Sequence, residues 1–223
     1  MSLKNIFFVT ILFLFTQESI SQRNFDESNF LGITGGYTMF DIMTSDFNTK
    51  QAGGFIGGFS TRGAFRNDFD LIFGLNYFSN NVEIFGTAPV PLPTTSDTQY
   101  IDYNLQGVQL YFLGSYNIIK NHLSLEFGPV LNISGKLKLK SETFEDYILD
   151  GYNSLKAKDI QDVSPVNFHL HGGITGGAKN FRLSVQYQYG VTNMLGKLNK
   201  NDLEYDNFKG NSSLIVLAGI FYF

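Results

Sequence analysis

Cysteine and tryptophan are absent from this chain of 223 residues, and proline, with five, is scarce. Without cysteine the protein can form no disulfide, thiol nucleophile or cysteine-ligated metal site. A lipoprotein anchor is excluded as well, because that modification needs a cysteine. The net charge of −4, from 16 basic and 20 acidic residues, lacks the excess of basic residues typical of nucleic-acid-binding proteins. We therefore expect no nucleic-acid partner, and nothing in the composition indicates a cofactor or a metal.

Long apolar runs are also missing, except at the N-terminus. Residues 6–15 form an apolar run that is shorter than the roughly 20 residues of a membrane-spanning helix. Polar residues follow, with the small Ser19 and Ser21 at the −3 and −1 positions of a predicted cleavage site. The pattern predicts a secretory signal peptide over residues 1–21 and a single exported domain over residues 22–223. The alternative is an N-terminal helix that the mature protein retains.

Beyond the signal peptide, apolar and polar residues alternate with a period of two, which is typical of β-strands. Phe181, Leu183 and Val185, for example, alternate with Arg182 and Ser184. Most segments reach the roughly 9–11 residues that a tilted strand needs to cross a bilayer. The sequence therefore predicts an all-β protein. The eight predicted segments span residues 29–38, 52–61, 68–85, 100–118, 123–135, 166–178, 181–193 and 212–223.

The connections between these segments alternate between long and short. Residues 119–122 and 179–180 form short turns, whereas the long connections are polar and rich in Asn, Asp, Thr, Lys and Gly. Transmembrane barrels have this pattern, with short periplasmic turns and long extracellular loops. We therefore predict an eight-stranded antiparallel up-and-down transmembrane β-barrel. Its last strand must pair with its first, because lipid cannot satisfy the backbone groups of an open edge.

The last segment carries an alternating apolar row that ends in phenylalanine. This row resembles the C-terminal signature of outer-membrane β-barrels, which implies recognition by the barrel assembly machinery. Together with "GGFIGGF", "LEFGPVL" and "HGGITGGA", it makes the mature chain similar to the PorT-type outer-membrane β-barrel proteins of the Bacteroidetes, with an OmpA/OmpX-like eight-stranded barrel. The resemblance implies a location in the outer membrane, with its lipids as partners. The row consists of Ile215, Leu217, Gly219, Phe221 and Phe223.

Three irregularities in the alternation produce further expectations. Apolar residues change parity near Gly107, which a one-residue bulge would explain. Pro129 lies inside the fifth segment and cannot donate to a ladder, so we expect a bulge or locally broken pairing there. The second face of the last segment is apolar where a lumen should be polar. This face either packs in a filled interior or has been assigned the wrong parity, and it consists of Leu214, Val216, Ala218 and Ile220.

Several charged residues occupy strand positions that are predicted to face the lumen, near the periplasmic end of the barrel. An eight-stranded barrel is just wide enough for its side chains to fill it, which argues against a diffusion porin. Unpaired charges in such an interior are costly, so we expect these to pair across the lumen as a structural plug. A gate or proton path is the functional alternative. The predicted cluster comprises Arg62, Asp68, Asp70, Glu126, Lys179 and Arg182.

His169 and His171 lie two residues apart on one strand and share the inward face. Two imidazoles could ligate a metal, although a third ligand is not evident. They could also act as a base for a nearby serine such as Ser184. The simplest interpretation is a pair of hydrogen-bonded lumen histidines without a metal.

Aromatic residues are predicted to form two interfacial belts, which anchor barrels at headgroup depth. In the loops, Pro89, Pro91 and Pro93 predict an extended tip. The connection over residues 136–165 starts with "KLKLK", which could meet lipid phosphate but is explained more simply as a solvated extension of strand five. The belts comprise Tyr37, Tyr77, Tyr103, Phe168 and Tyr189 near the long loops, and Phe69, Tyr116, Phe181 and Phe223 near the short turns.

These features favour a small, non-enzymatic outer-membrane barrel with a filled lumen and a structural, adhesive or envelope-associated role. One alternative is a barrel enzyme acting on lipid A or phospholipid, which would need a histidine with a serine or aspartate on the lipid side or in a groove. Others are an accessory of a Bacteroidetes secretion system and a soluble, lipocalin-like barrel.

Overall fold

The computed structural model describes residues 29–89 and 98–223. The predicted signal peptide, Pro91 and Pro93 lie outside these ranges. None of the helices in the described part of the chain is long and apolar enough to cross a membrane. Three single turns of 3₁₀ helix span Glu142–Phe144, Ala157–Ile160 and Leu198–Lys200. The strands are β1 (Phe30–Met43), β2 (Thr49–Arg66), β3 (Phe69–Thr87), β4 (Thr98–Ile119), β5 (Leu123–Ser134), β6 (Lys138–Leu139), β7 (Ile148–Leu149), β8 (Val166–Gly177), β9 (Phe181–Gly190) and β10 (Asn211–Tyr222).

The eight long strands form a closed antiparallel barrel in which each strand pairs with its neighbours along the chain. β10 pairs with β1 from Gly32↔Tyr222 to Met43↔Asn211 and so closes the ring. The amide of Phe223 donates to the carbonyl of Leu31 over 2.9 Å, which continues this seam beyond the strand end. The predicted all-β, eight-stranded antiparallel barrel is therefore confirmed.

The short connections lie at one end of the barrel and the long connections at the other. Residues 67–68, 120–122 and 178–180 form the short turns, and Asn67 and Asn121 have positive φ angles of 51° and 63° there. Asparagine tolerates this left-handed conformation better than most residues. β1 and β2 run further toward the long-loop end than predicted, so that the first long connection shrinks to residues 44–48. Residues 44–48, 88–89, 135–165 and 191–210 lie at that end.

The outer face of the barrel is apolar over most of its height. Phe59, Leu170 and Leu183 are each about 60 % exposed on this face. A continuous apolar surface of this size is unsuited to contact with water. In a barrel that faces lipid, each strand alternates apolar residues that point outward with residues that point into the lumen. The aromatic belts lie on it as predicted, apart from Tyr103, which is completely buried inside the barrel. The predicted C-terminal row also faces outward, with Ile215 half-buried and Leu217, Phe221 and Phe223 exposed.

The long connections fold into a compact cap over one end of the barrel, formed by residues 44–48, 135–165 and 191–210. β6 pairs with β4, and β7 pairs with β3, so the third connection is fixed to the strand ends. Lys136, Lys138 and Lys140 are exposed, as expected of a solvated extension, whereas the apolar residues further along this connection, such as Leu149, Leu155 and Ile160, are buried. The cap core includes Phe47, Leu137, Leu149, Leu155, Ile160, Met194, Leu195, Leu198 and Phe208, packed on Ile84, Ile101 and Tyr103.

This apolar core explains the irregularities in the alternation. The predicted bulge at Gly107 is wrong, because β4 pairs with β3 without a register shift and keeps one parity inward throughout. The apolar residues change sides because the interior itself becomes apolar near the cap. The prediction for Pro129 is confirmed, since the β4–β5 ladder passes from Tyr111↔Val130 to Gly114↔Phe127 and is broken between them. The apolar inner face of the last strand packs in the filled interior, with Leu214, Val216, Ala218 and Ile220 all buried.

Glu204 ties two loops of the cap together. Its carboxylate accepts hydrogen bonds from the backbone amides of Asn153, Ser154 and Leu155 at 2.6–3.1 Å. These bonds favour the charged form and lower the pKa of Glu204 to about 2 from its ordinary value of 4.5. Because the pKa is lowered on folding, the carboxylate stabilises the cap above about pH 4.5. That contribution is lost as the pH falls through the folded-state value.

We expect the cap to loosen between about pH 4.5 and pH 2, and Glu204→Gln to remove most of this pH dependence. Limited proteolysis with pepsin checks it, with wild type and variant compared at the same pH so that changes in the protease cancel. Asp206→Asn, an exposed acid of the same loop, serves as the matched control and should behave like the wild type. Identical cleavage rates for wild type and Glu204→Gln at pH 5 would contradict the role of this clamp.

Candidate functional site

The barrel interior near the short turns holds a buried cluster of charges. Arg62 donates through Nε to Asp70 Oδ2 over 2.7 Å and through Nη1 to Glu126 Oε1 over 3.2 Å. Its Nη2 donates to Ser115 Oγ at 2.8 Å and to Asn117 Oδ1 at 3.0 Å. Arg62 is only 2 % exposed, so these bonds replace nearly all of its hydration. Arg62 on β2 thereby connects to β3, β4 and β5 inside the lumen.

Arg182 completes this cluster from β9. Its guanidinium carbon lies 5.7 Å from the centre of the Tyr222 ring, an arrangement typical of cation–π contact. Two arginines and two carboxylates then balance in formal charge, but Nε and Nη1 of Arg182 have no hydrogen-bond partner in the part of the chain that the structure describes. The expected pairing therefore holds for Arg62 and not for Arg182. We call Arg62, Asp70, Glu126 and Arg182 the charged layer.

Two members of the predicted charge cluster lie elsewhere. Asp68 and Lys179 are exposed residues of the short turns, rather than inward residues of strands. Alternation between inward and outward positions does not apply to these two residues, because side chains in a turn no longer point alternately to two faces. Both line a polar cavity of about 90 Å³ at the mouth of the barrel, together with Arg62, Asp70 and Asn117. The structure therefore brings four of the six predicted residues into one layer and leaves two at its entrance.

A second polar layer crosses the lumen further from the short turns. Gln109 on β4 donates to Gln188 Oε1 on β9 over 2.8 Å and to Asn132 Oδ1 over 3.0 Å. Because β4 and β9 are three strands apart in the ring of eight, the first of these bonds crosses the lumen. We call this the amide layer, and it comprises Asn76, Gln109, Asn132, His169, Gln188 and Ser212.

Both predicted lumen histidines are buried and face inward, but they do not lie in the same environment. His169 Nε2 lies 2.8 Å from Ser212 Oγ, and a ring nitrogen of His169 lies 3.0 Å from Asn132 Nδ2. His171 instead lines a cavity between the two layers. Ser184, suggested as a partner from sequence, bonds to Thr175 and Gln186. Among the described residues, no group of three or more histidines and carboxylates could hold a metal ion.

Sequence reasoning missed the amide layer. Gln109, Asn132 and Gln188 are ordinary polar residues on the inward parity, and no local motif distinguishes them. Their meeting depends on strand register, which sets the height of each residue in the barrel. The sequence carries one usable signal for this layer. Inward-facing amide side chains occur at the same predicted height in strands that are not neighbours in the ring.

The comparison with known families decides what kind of barrel this is. The sequence model of the family described as "Outer membrane protein beta-barrel domain" matches residues 15–196, more than half of the chain. The chain belongs to this family. It is thus an outer-membrane β-barrel protein, located in the outer membrane with lipid against its apolar face. No curated protein matches the sequence.

Several solved structures are similar to this outer-membrane barrel. Neisserial surface protein A is 11 % identical with a TM-score of 0.45, covering 88 % of this chain and 99 % of its own. Ail, the attachment invasion locus protein of Yersinia pestis, crystallised with the heparin analogue sucrose octasulfate, is 15 % identical with a TM-score of 0.45 and the same coverages. The outer membrane protein OprG from Pseudomonas aeruginosa is 11 % identical with a TM-score of 0.47, covering 88 % of this chain and 97 % of its own.

The charged layer predicts a large loss of stability when its central arginine is removed. We expect Arg62→Ala to lower the free energy of unfolding by about 3–5 kcal/mol, because it leaves the buried carboxylate of Glu126 and the partly buried carboxylate of Asp70 without their main partner. Lys50→Ala is the matched control, since Lys50 pairs with Glu83 at 2.8 Å on the exposed surface, and its removal should lower the free energy of unfolding far less.

The measurement is urea unfolding in lipid vesicles, with the folded fraction quantified from the gel mobility of unboiled samples. This readout suits a chain without tryptophan, whose unfolding is poorly followed by intrinsic fluorescence. Equal losses for Arg62→Ala and Lys50→Ala would show that the charged layer does not stabilise the barrel.

Proposed function

We propose that this chain is a non-enzymatic, non-conducting barrel that anchors a folded cap on the outside of the outer membrane, with a structural or adhesive role in the envelope. The observation that carries the proposal is the successive closure of the lumen. The charged layer, the amide layer and the apolar cap core each cross the interior at a different height. An eight-stranded ring leaves little free width around such side chains.

The cap supports the adhesive part of the proposal, because its loops are fastened to one another. Asp46 Oδ2 in the first loop accepts a bond from the amide of Lys209 in the last loop over 2.7 Å. The hydroxyl of Tyr152 in the third loop donates to the carbonyl of Asp46 over 3.1 Å. A surface that is already ordered loses little conformational entropy when a partner binds, which favours binding.

The positions of the two strand histidines support the absence of an enzyme activity. An enzyme acting on lipid needs its base on the outer face or in a groove that lipid can enter. His169 and His171 are instead 4 % and 6 % exposed and lie inside the lumen. Neither is placed to reach the headgroup or acyl chain of a lipid on the outer face.

The origin and export of the chain also belong to this proposal. The quoted sequence motifs support a PorT-type barrel of the Bacteroidetes. The N-terminal pattern supports cleavage of a signal peptide over residues 1–21, which leaves a barrel domain over residues 22–223. The outward row of Ile215, Leu217, Phe221 and Phe223 on the closing strand supports recognition by the barrel assembly machinery.

Electrical recording in planar bilayers tests the proposed closed lumen. Protein extracted from the outer membrane should migrate differently on gels before and after boiling, which verifies that the sample is a folded barrel. The same sample should give no conductance steps, whereas a diffusion porin recorded in parallel should. Reproducible steps from a heat-modifiable sample would overturn the non-conducting proposal.

Mass spectrometry of lipid A and phospholipids, from cells with and without the protein, tests the non-enzymatic part separately. We expect identical acylation patterns. A changed pattern that persists after substitution of both lumen histidines would favour a lipid-modifying enzyme with its site elsewhere.

A further inference from the structure

An open groove of about 460 Å³ lies on the outer face of the barrel near the short turns. Its base is formed by Thr61 and Gly63 of β2, whose outward side chains are small or absent. A Cβ atom at Gly63 would meet only the carboxamide of Asn29, so no apolar side chain of the barrel fills this space. We call it the periplasmic groove. Its walls are Leu31 of β1, Leu71 and Phe73 of β3, and Phe112 of β4.

The walls of the periplasmic groove face the membrane and not the lumen. Leu31, Phe73 and Phe112 are each about half exposed on the outer face. Because the chain is an outer-membrane barrel, lipid hydrocarbon and not water surrounds these side chains. The groove has about three times the roughly 150 Å³ that holds a benzene molecule in an apolar protein cavity. A long alkyl chain therefore fits in it and contacts its base and both walls.

The end of the groove nearest the short turn is polar and positively charged. Asn29 lies there against Gly63, and Arg66 follows on β2 roughly 10 Å further along the strand. Simple alternation would turn Arg66 into the lumen. The β2–β3 ladder instead shifts its register between Ala64 and Arg66, so that Arg66 pairs with the outward Phe69. Directly opposed residues of an antiparallel pair share a face, so this irregularity places Arg66 on the membrane side.

Within residues 29–89 and 98–223, Arg66 has no ionic partner, and its side chain is exposed. A free cation at the boundary of a bilayer attracts lipid phosphates and anionic head groups. The carboxamide of Asn29 adds a hydrogen-bond donor between this cation and the apolar walls. The site is thus charged at head-group depth, polar just above it and apolar at the depth of the acyl chains. A phospholipid has the same order of chemical groups.

We propose that the periplasmic groove binds one glycerophospholipid of the periplasmic leaflet. One acyl chain lies between Leu31 and Phe73, the phosphate pairs with Arg66, and Asn29 donates to an ester carbonyl. A head group with a net negative charge binds more tightly than a zwitterionic one, because no ammonium group offsets its attraction to Arg66. This lipid occupies one position and is selected by its head group, unlike the lipid around the rest of the barrel. The site does not depend on an adhesive role of the cap.

The absence of tryptophan from the chain allows a single introduced tryptophan to report on the lipid beside it. Phe73→Trp places this reporter in the groove. Val185→Trp places it on the opposite side of the ring, as many residues beyond its short turn as Phe73 is beyond its own. Both variants are reconstituted in mixtures of phosphatidylglycerol and phosphatidylcholine in which one lipid at a time carries brominated, fluorescence-quenching acyl chains. At low salt, Phe73→Trp should show about a fivefold preference for phosphatidylglycerol, and Val185→Trp should show none.

Two further substitutions in the Phe73→Trp background separate the charge from the shape of the groove. Arg66→Gln should abolish the preference for phosphatidylglycerol, and Gly63→Leu should reduce it because the added side chain fills the groove. Gly172→Leu is the matched control, since Gly172 is an exposed glycine of β8 with open space around its Cα, and it should leave the preference unchanged. Gel mobility before and after boiling verifies that each variant is folded.

Equal lipid preferences at Phe73→Trp and Val185→Trp would overturn the proposal, as would a preference that Arg66→Gln leaves intact. A third result would also overturn it. If neither brominated lipid quenches Phe73→Trp and unboiled gels show a dimer, a second copy of the chain occupies the groove in place of a phospholipid.

Discussion

The closed ladder between β1 and β10 is the constraint on which the rest of the structure depends. In the hydrocarbon layer no water is present to satisfy backbone amides and carbonyls, so every strand needs two paired neighbours. The pairing of Gly32 through Met43 with β10 supplies this at the seam. Closure with eight strands also fixes the width of the ring, and that width admits side chains but little else. The filled lumen is therefore a consequence of the strand number, and the sequence decides only what fills it.

Two different kinds of interior follow from where each part of the barrel lies. Near the short turns the lumen is lined by polar side chains, which must find partners across a narrow space. At the other end the strands extend past the lipid-facing band, and the outward side of β2 and β3 becomes polar, as the Lys50–Glu83 ion pair illustrates. There the loops cover the barrel mouth and supply apolar side chains such as Leu155 and Phe208, so the interior resembles the core of a soluble domain. The cap and the barrel consequently form one continuous core.

This change of interior explains both the successes and the errors of the sequence analysis. The period of two was informative because every strand separates two environments, and the eight strands could be found from it. The assumption that apolar residues face lipid failed in β4, where Tyr103 and Leu105 face an apolar interior. Tyr103 was assigned to a belt, and a bulge was invoked at Gly107, for this single reason. Composition along one strand cannot reveal that distant loops will cover it.

The charged residues could be predicted as a group, whereas the amide layer could not. A charge on the inward parity must have a partner, so Arg62, Asp70 and Glu126 were constrained to meet. A lumen-facing amide costs less to leave without a partner than a charge does, so its partner is harder to predict. Only the register across several strands brings Gln109 within hydrogen-bond distance of Gln188. The two layers differ in chemistry and lie at different heights in the barrel, so removal of one leaves the other in place. A single substitution in the charged layer should therefore weaken the barrel well before it opens a path through it.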